Sequence, residues 1–176
     1  MNLNYEKNII LNVLDKKPNL GKTSVMKIVY MLQQVKSLNL VYDFTIYTYG
    51  PYCSDVTEDL DDLVSKGFIT ASMYPSHNYI GYELSIAEKV KENINKLEID
   101  EEDALDDILD FAKDKSAKDL ELCSTIIYVD NLYTKNNWDK TNKAIVNKVR
   151  EIKPHFSEEI IESVYSSLLE RKYISF

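Results

Sequence analysis

Residues 47–69, YTYGPYCSDVTEDLDDLVSKGFI, decide the predicted fold of this chain. Gly50 and Pro51 predict a turn, and the spacing of the apolar residues that follow predicts an amphipathic helix over residues 54–66. After Gly67 the sequence becomes aromatic and β-branched, which is typical of a strand. Turn, helix and strand in this order are the outline of the DNA-contacting helix of a winged helix.

The charge of the predicted helix argues against contact with DNA. It carries five acidic residues against one lysine: Asp55, Glu58, Asp59, Asp61, Asp62 and Lys66. The whole chain has 21 Lys and Arg, 29 Asp and Glu and a formal net charge of -8. Because binding to a phosphate backbone needs a basic surface, this balance favours a basic protein partner over nucleic acid.

The flanking sequence completes the outline of a winged helix. Two amphipathic helices are predicted upstream, over residues 5–16 and 22–37, and FTIYTYG over residues 44–50 predicts a strand. Downstream, FITASMYP and YIGYELS surround a short polar tip and predict a β-hairpin, the wing. Residues 1–85 are therefore predicted to form a winged helix-turn-helix domain.

From residue 86 on, the periodicity is helical. The predicted helices cover residues 86–97, 101–114, 117–133, 140–152 and 157–172. LVSKGFI at residues 63–69 is echoed in residue type by LLERKYI at residues 168–174, and this favours a second helix-turn-helix-like unit. The predicted fold is mainly α with a small β-hairpin: an N-terminal winged helix-turn-helix packed on a C-terminal helical subdomain, residues 86–176.

Enzymatic activity is not expected, because the motifs that could carry it are incomplete. NLGKTS at residues 19–24 resembles the tail of a phosphate-binding loop but lacks the first glycine and the preceding strand. The possible catalytic bases, His77 and His155, have no spacing that links them to Cys53 or Cys123. We therefore predict no catalytic residue, no cofactor and no disulfide.

The acidic helix predicted over residues 101–114 could be a solvated helix face or a metal site, and the metal site is the weaker interpretation. Its four acids, which can share a face, are Asp103, Asp106, Asp107 and Asp110. Such a face is usually solvated, and a calcium or magnesium site would need these carboxylates as ligands. We predict no metal ligand here.

Thirteen tyrosines, several of them in the winged half, favour a protein-binding surface. Tyrosine combines a large apolar face with a polar group and is enriched at interfaces. The residues predicted to bind a partner are Tyr49, Tyr52, Glu58, Asp59, Asp62, Tyr79 and Tyr82. The alternative is a DNA-binding transcriptional regulator, and it would have to use Lys22, Lys27, Lys143, Lys148 and Arg150.

Two segments resemble the YwgA-like family of prokaryotic and phage proteins: KTSVMKIVYMLQ and YTYGPYCSDVTEDLDDLVSKGFI. The resemblance extends to the Panacea or SocA-like antitoxin domains. It implies a winged-helix fold, no known catalytic residues and a role in neutralising another protein, as antitoxins neutralise toxins. If the chain is phage-borne, a host effector is an equally expected target. Cys53 stands where the family has serine, so Ser54 or Asp55 is expected to cap the helix.

The sequence also predicts where the protein resides. No stretch approaches the ~20 consecutive apolar residues of a membrane span. Charge interrupts the first residues, MNLNYEKNII, so we expect no signal peptide and a cytoplasmic protein. A homodimer is left open.

Overall fold

The computed structural model describes residues 3–75, 80–92 and 94–175. Within them, eight helices and four strands confirm a mainly α fold with small hairpins. The helices are α1 (Tyr5–Lys16), α2 (Lys22–Gln34), α3 (Ser54–Ser65), α4 (Glu88–Lys91), α5 (Ile99–Ala112), α6 (Ala117–Lys135), α7 (Asn142–Ile152) and α8 (Glu158–Glu170). The strands are β1 (Thr45–Tyr47), β2 (Gly50–Tyr52), β3 (Ile69–Pro75) and β4 (Ile80–Ile86). In the described part of the chain, no helix has the length and apolar character needed to cross a bilayer.

The chain divides into two compact units. Unit 1 comprises residues 1–44 and 53–117, and unit 2 comprises residues 45–52 and 118–176. The predicted boundary at Ser85 falls inside unit 1, because α5 packs on α2. Residues 45–52, expected within the winged helix, group instead with the C-terminal helices.

Unit 1 is built on three helices that contact one another, α1, α2 and α3. Their apolar faces supply a core that includes Ile9, Val25 and Leu60, each without exposed surface. The hairpin β3–β4 follows α3, as predicted, and contacts all three helices. Leu20, between α1 and α2, exchanges two backbone hydrogen bonds with Leu84 of β4, at 3.2 and 2.8 Å.

Two local features of unit 1 differ from prediction. The cap of α3 is Cys53, which makes no side-chain capping bond, and neither Ser54 nor Asp55 takes that place. The helix expected over residues 86–97 is reduced to α4. Its continuation is prevented because the Asn8 side chain bonds both backbone groups of Asn95, at 3.1 Å each.

The first hairpin, β1–β2, replaces the single strand and Gly50–Pro51 turn that the sequence predicted. Tyr47 pairs with Gly50, so the turn lies at residues 48–49 and Pro51 stands in a strand. Proline can do so because the hairpin has two strands and therefore only edges.

Unit 2 is centred on α6, which is buried almost all round from Leu120 to Asp130. α7 and α8 pack against each other. Each begins at a capping side chain: Thr141 accepts a hydrogen bond from Ala144 N and Ser157 accepts one from Ile160 N. These caps explain why both helices begin within two residues of the predicted positions.

Candidate partner-binding site

Part of the acidic side of α3 is held by lysines of unit 1. Lys7 of α1 places its Nζ 2.6 Å from Asp62 Oδ2 and 3.4 Å from Asp59 Oδ1. Lys66 places its Nζ 2.8 Å from the same oxygen of Asp62. Hydrogen bonds from Lys66 and Lys7 hold the pKa of the Asp62 carboxyl below its ordinary value. Asp59 and Asp62, both predicted to bind a partner, thus connect α3 to α1.

Asp59 has a further neighbour, Tyr42. The Tyr42 hydroxyl donates a hydrogen bond of 2.7 Å to Asp59 Oδ2. Burial, and then the bond to Asp59, raise the pKa of this hydroxyl. Sequence reasoning missed both Lys7 and Tyr42, because neither contact leaves a periodic signal in the sequence.

The remaining acids of α3 face solvent. Asp61 pairs with Lys22 at the start of α2, and both side chains are largely exposed. Asp55 and Glu58 are exposed and lie three positions apart, so they share a helix face. No ion pair among the described residues includes either of them. Glu58 is therefore the predicted acid that is left open to a partner.

The wing presents an apolar pair to solvent. In the β3–β4 register Ile69 lies opposite Ile86, and Met73 lies opposite Tyr82. Directly opposed residues share a face of the hairpin. Ile69 and Ile86 are buried, whereas Met73 is 69% and Tyr82 49% exposed. Tyr82 was predicted; Met73 was missed, because the register that pairs the two residues was unknown.

The start of α2 contacts both the wing and α3. A Cβ on Gly21 would lie 3.8 Å from the carbonyl oxygen of Tyr82. The next residue, Lys22, makes the ion pair with Asp61 of α3. The start of α2 thus lies beside the backbone of the wing and, through Lys22, contacts the exposed side chain of Asp61.

Tyr49 and Tyr52 belong to unit 2, in the hairpin β1–β2. Tyr47 and Tyr49 are 67% and 66% exposed, and Tyr52 is 38% exposed. The rings of Tyr47 and Tyr52 lie 5.8 Å apart. The residues predicted to bind a partner are therefore distributed over both units.

A buried lysine fixes the turn of this hairpin. Lys153 Nζ is 2.5 Å from the Thr48 carbonyl oxygen and 2.5 Å from Glu121 Oε1. Its side chain is 1% exposed. A buried ion pair is weak evidence for stability, but removing one of its partners leaves an uncompensated buried charge. Lys153 was missed by sequence reasoning, since a single lysine before a proline carries no signal of burial.

The basic residues of the DNA alternative differ in accessibility. Lys27 is 2% exposed, so its ammonium cannot reach a phosphate. Lys22 is engaged by Asp61. Lys143 is exposed, and the two others form surface ion pairs: Lys148 with Glu151 and Arg150 with Glu158, each at 2.9 Å.

Three of the four α5 acids considered as metal ligands are paired with lysines instead. Asp103 is exposed, and three ion pairs engage the others: Lys16–Asp106 at 2.6 Å, Lys36–Asp107 at 2.5 Å and Lys113–Asp110 at 2.9 Å. Ammonium groups thus take the place that the metal hypothesis gave to a cation.

A pocket of about 370 Å³ opens in unit 1 beside the starts of α1 and α5. Its polar groups already bind one another: the Tyr5 hydroxyl donates a 2.6 Å hydrogen bond to Glu101 Oε1. Burial, and then this bond, raise the pKa of the Tyr5 hydroxyl. None of the predicted site residues lines the pocket, and neither a histidine nor a cysteine is among its lining residues.

Two residues considered above, His77 and Tyr79, lie outside the described residues. Of the cysteines and histidines considered for catalysis, Cys123 is buried in α6, as expected for a small core residue. The ring of His155 lies against that of Phe156, with centroids 4.5 Å apart and planes tilted by 40°.

Comparison with known proteins identifies a relative over most of the chain. The chain is 25% identical over 146 residues to the uncharacterized protein YwgA of Bacillus subtilis (strain 168), covering 82% of this chain and 83% of YwgA. No family model matches. Among solved structures, Bacillus subtilis PadR in complex with operator DNA aligns with 92% of this chain and 98% of its own, at 15% identity and a TM-score of 0.37. That TM-score is too low to transfer a fold or a function.

Proposed function

We propose that this chain is a non-enzymatic binding protein whose unit 1 docks on a basic surface of a protein partner. The observation that carries the proposal is the distribution of charge. Unit 1 holds 12 Lys and Arg against 20 Asp and Glu, whereas unit 2 holds 9 of each. The entire formal net charge of -8 therefore belongs to unit 1.

The shape proposed for unit 1 is a winged helix-turn-helix. Three helices in mutual contact, a hairpin after the third and the backbone bonds of Leu20 to Leu84 support it. In such a fold α3 and the wing are the surfaces offered to a ligand.

DNA is a poor ligand for these two surfaces. Between Ser54 and Ile86 the sequence contains one Lys or Arg, Lys66, and this residue is paired with Asp62. Neutralisation of phosphates supplies most of the affinity for a nucleic-acid backbone. A basic protein surface instead gains from the open carboxylates of Asp55 and Glu58, which would speed encounter and select the partner.

The tyrosines would supply contact area rather than charge. Tyr82 is proposed to form, with the exposed acids Asp55 and Glu58 of α3, one binding site on unit 1, the acidic site. Tyr49 and Tyr52 are proposed as separate contacts, presented by the hairpin that Lys153 holds. The resemblance to antitoxin domains motivates a finer proposal, in which binding neutralises a toxin or a host effector.

The test compares the proteins that wild type and variants capture from the native host. Asp55→Lys with Glu58→Lys reverses the open charges without breaking the pairs of Asp59 and Asp62. We expect this variant to lose the dominant basic partner, and the wild-type interaction to weaken as salt rises.

A matched control makes the same charge change elsewhere in unit 1. Asp103→Lys with Asp114→Lys alters two exposed acids at α5 and after it. It should retain the partner. Equal capture by both variants would refute the site on α3. Sedimentation of the pure protein would distinguish a monomer from the homodimer left open.

DNA binding is the second candidate, and a feature of unit 2 favours it. Unit 2 has no net negative charge, and α7 places Lys143, Lys148 and Arg150 within three turns. Under this candidate, duplex DNA binds with a steep salt dependence, and changing all three residues to Ala lowers the salt slope by about 1 for each lost phosphate contact. Absence of duplex binding at low salt would exclude it.

A further inference from the structure

We infer that Met73 and Tyr82 form the apolar anchor of the acidic site, and that the partner binds through a basic amphipathic segment. Such a segment presents apolar side chains beside Lys and Arg. The inference rests on the proposed function. It narrows the partner's binding surface from any basic surface to a basic surface with an apolar centre.

The wing pair has the geometry of a fixed anchor. β3 and β4 pair along seven residues each, and the base of the hairpin is fixed where Ile69 and Ile86 enter the core. Leu84, on the same face, is fully buried and bonded to Leu20. The apolar face then continues to Met73 and Tyr82, which still lie in the paired part of the two strands. Little ordering entropy would be lost at these positions.

The charge of unit 1, which carries the wing pair, favours a cationic partner. Neither β3 nor β4 contains a Lys or an Arg. Lys22, the base next to Gly21, is already paired with Asp61. The unit that carries the pair has eight more acidic than basic residues.

The exposed apolar pair and the acidic charge of unit 1 together favour a partner that is both apolar and basic. A purely polar basic surface would leave Met73 and Tyr82 in water, and would gain only weak, screened charge attraction. An uncharged apolar partner would gain nothing from the charge of unit 1. An amphipathic helix with apolar residues on one face and lysines on the other satisfies both requirements.

Synthetic peptides provide the probes. The first is a helix of roughly 18 residues, about five turns, with leucines on one face and lysines on the other. In the second, glutamines replace the leucines at the same charge, and in the third, glutamates replace the lysines. Affinities are measured by calorimetry at physiological ionic strength, about 0.15 M.

We expect wild type to bind the leucine–lysine peptide at least about tenfold more tightly than the glutamine–lysine peptide. Met73→Ser with Tyr82→Ser should lower affinity for the first peptide by about tenfold and leave affinity for the second unchanged. Val41→Ser with Ile99→Ser is the matched control, since both residues are apolar, in unit 1 and more than three-quarters exposed. It should bind as wild type does.

Each contrary result has a separate meaning. Equal binding of the first two peptides, or unchanged binding by the Met73 and Tyr82 variant, overturns the anchor but leaves the basic partner standing. Equal binding of the glutamate peptide overturns the proposed function itself, and failure of wild type to bind any peptide overturns both. Thermal unfolding checks the variants, and the single changes Met73→Gln and Tyr82→Gln replace the double variant if it is unfolded.

Discussion

Gly67 and Lys172 occupy equivalent positions in two copies of one helix-ending turn. Both have a left-handed backbone, with φ of 70° and 59°. In each copy the next residue donates its N–H to a carbonyl five positions earlier, at 2.9 Å: Phe68 to Leu63 and Tyr173 to Leu168. This is the Schellman pattern. The echo of LVSKGFI in LLERKYI is therefore a shared structure, with glycine in one copy and lysine in the other.

Lys172→Gly should stabilise the protein. A side chain in the left-handed region costs roughly 1–2 kcal/mol, and the greater freedom of glycine in the unfolded chain offsets roughly 0.5–1 kcal/mol of that gain. We expect a net increase of about 0.5 kcal/mol in the free energy of unfolding, measured by urea denaturation. The reciprocal change, Gly67→Ala, should lower it by about 1 kcal/mol. A destabilising Lys172→Gly would contradict the equivalence of the two turns.

Gly50→Ala should destabilise unit 2. Gly50 has φ of 84°, and a Cβ there would lie 2.9 Å from Thr125 Oγ1. We expect a loss of about 2 kcal/mol, from left-handed strain and overpacking together. Gly21→Ala is the matched control, because Gly21 has φ of -68° and the nearest atom to its added Cβ is 3.8 Å away, so only the weaker N-cap preference for glycine is lost. Equal effects of the two changes on the urea midpoint would count against the packing of Gly50.

Lys153→Met should be among the most damaging single changes in unit 2. It would leave Glu121 buried without its cation, which typically costs about 3–5 kcal/mol. Adding Glu121→Gln removes the unpaired charge and should recover part of that loss. If the double variant is as unstable as the sum of both single changes, the two side chains do not act as a pair. Urea denaturation of the four proteins completes the double-mutant cycle.

The sequence was sufficient to predict the helices and strands whose apolar periodicity and end signals agree. α1 was predicted with its observed bounds, and the helix over Ser54–Ser65 and the following hairpin were predicted within two residues. Apolar spacing predicts these elements because the buried residues of each lie at regular intervals within one short stretch of sequence. The same reasoning identified Glu58 and Tyr82 as surface residues, since polar and aromatic positions alternate with the core positions.

Contacts between distant residues could not be predicted in this way. Asn8 stops α4 from continuing because it bonds Asn95, 87 positions later. Lys153 reaches Thr48 across 105 positions, and this draws residues 45–52 into unit 2. Neither side chain differs locally from an ordinary surface residue. Asp59 and Asp62 were assigned to a partner for the same reason: their lysine, Lys7, is far away in sequence.

The connection between α6 and α7 should respond to pH through one buried carboxyl. Asp130 is buried, and Lys140 places its Nζ 2.9 Å from Asp130 Oδ2. Burial raises the pKa of Asp130 although Lys140 acts in the opposite direction. Burial, and then the charge of Asp130, also raise the pKa of Tyr165. The ion pair between Lys140 and Asp130 ties the connection between α6 and α7, residues 136–141, to α6. This connection carries Trp138, the one tryptophan of the chain.

The direction of the effect follows from the raised pKa. Between the ordinary pKa of aspartate, about 3.9, and the raised value, the folded protein holds a proton on Asp130 that the unfolded chain does not. The contribution of this group to stability is therefore largest at low pH and declines as pH rises through the raised pKa. Protonation also removes the charge that holds Lys140.

Trp138 fluorescence is the measurement. Wild type should show a transition with an apparent pKa above about 3.9, as the connection is released on acidification. Asp130→Asn should abolish it, because the amide carries no titrating proton. Asp139→Asn is the matched control, an exposed acid next to Trp138, and should leave the transition in place. A transition that persists in Asp130→Asn and disappears in Asp139→Asn would assign the response to the exposed carboxyl instead.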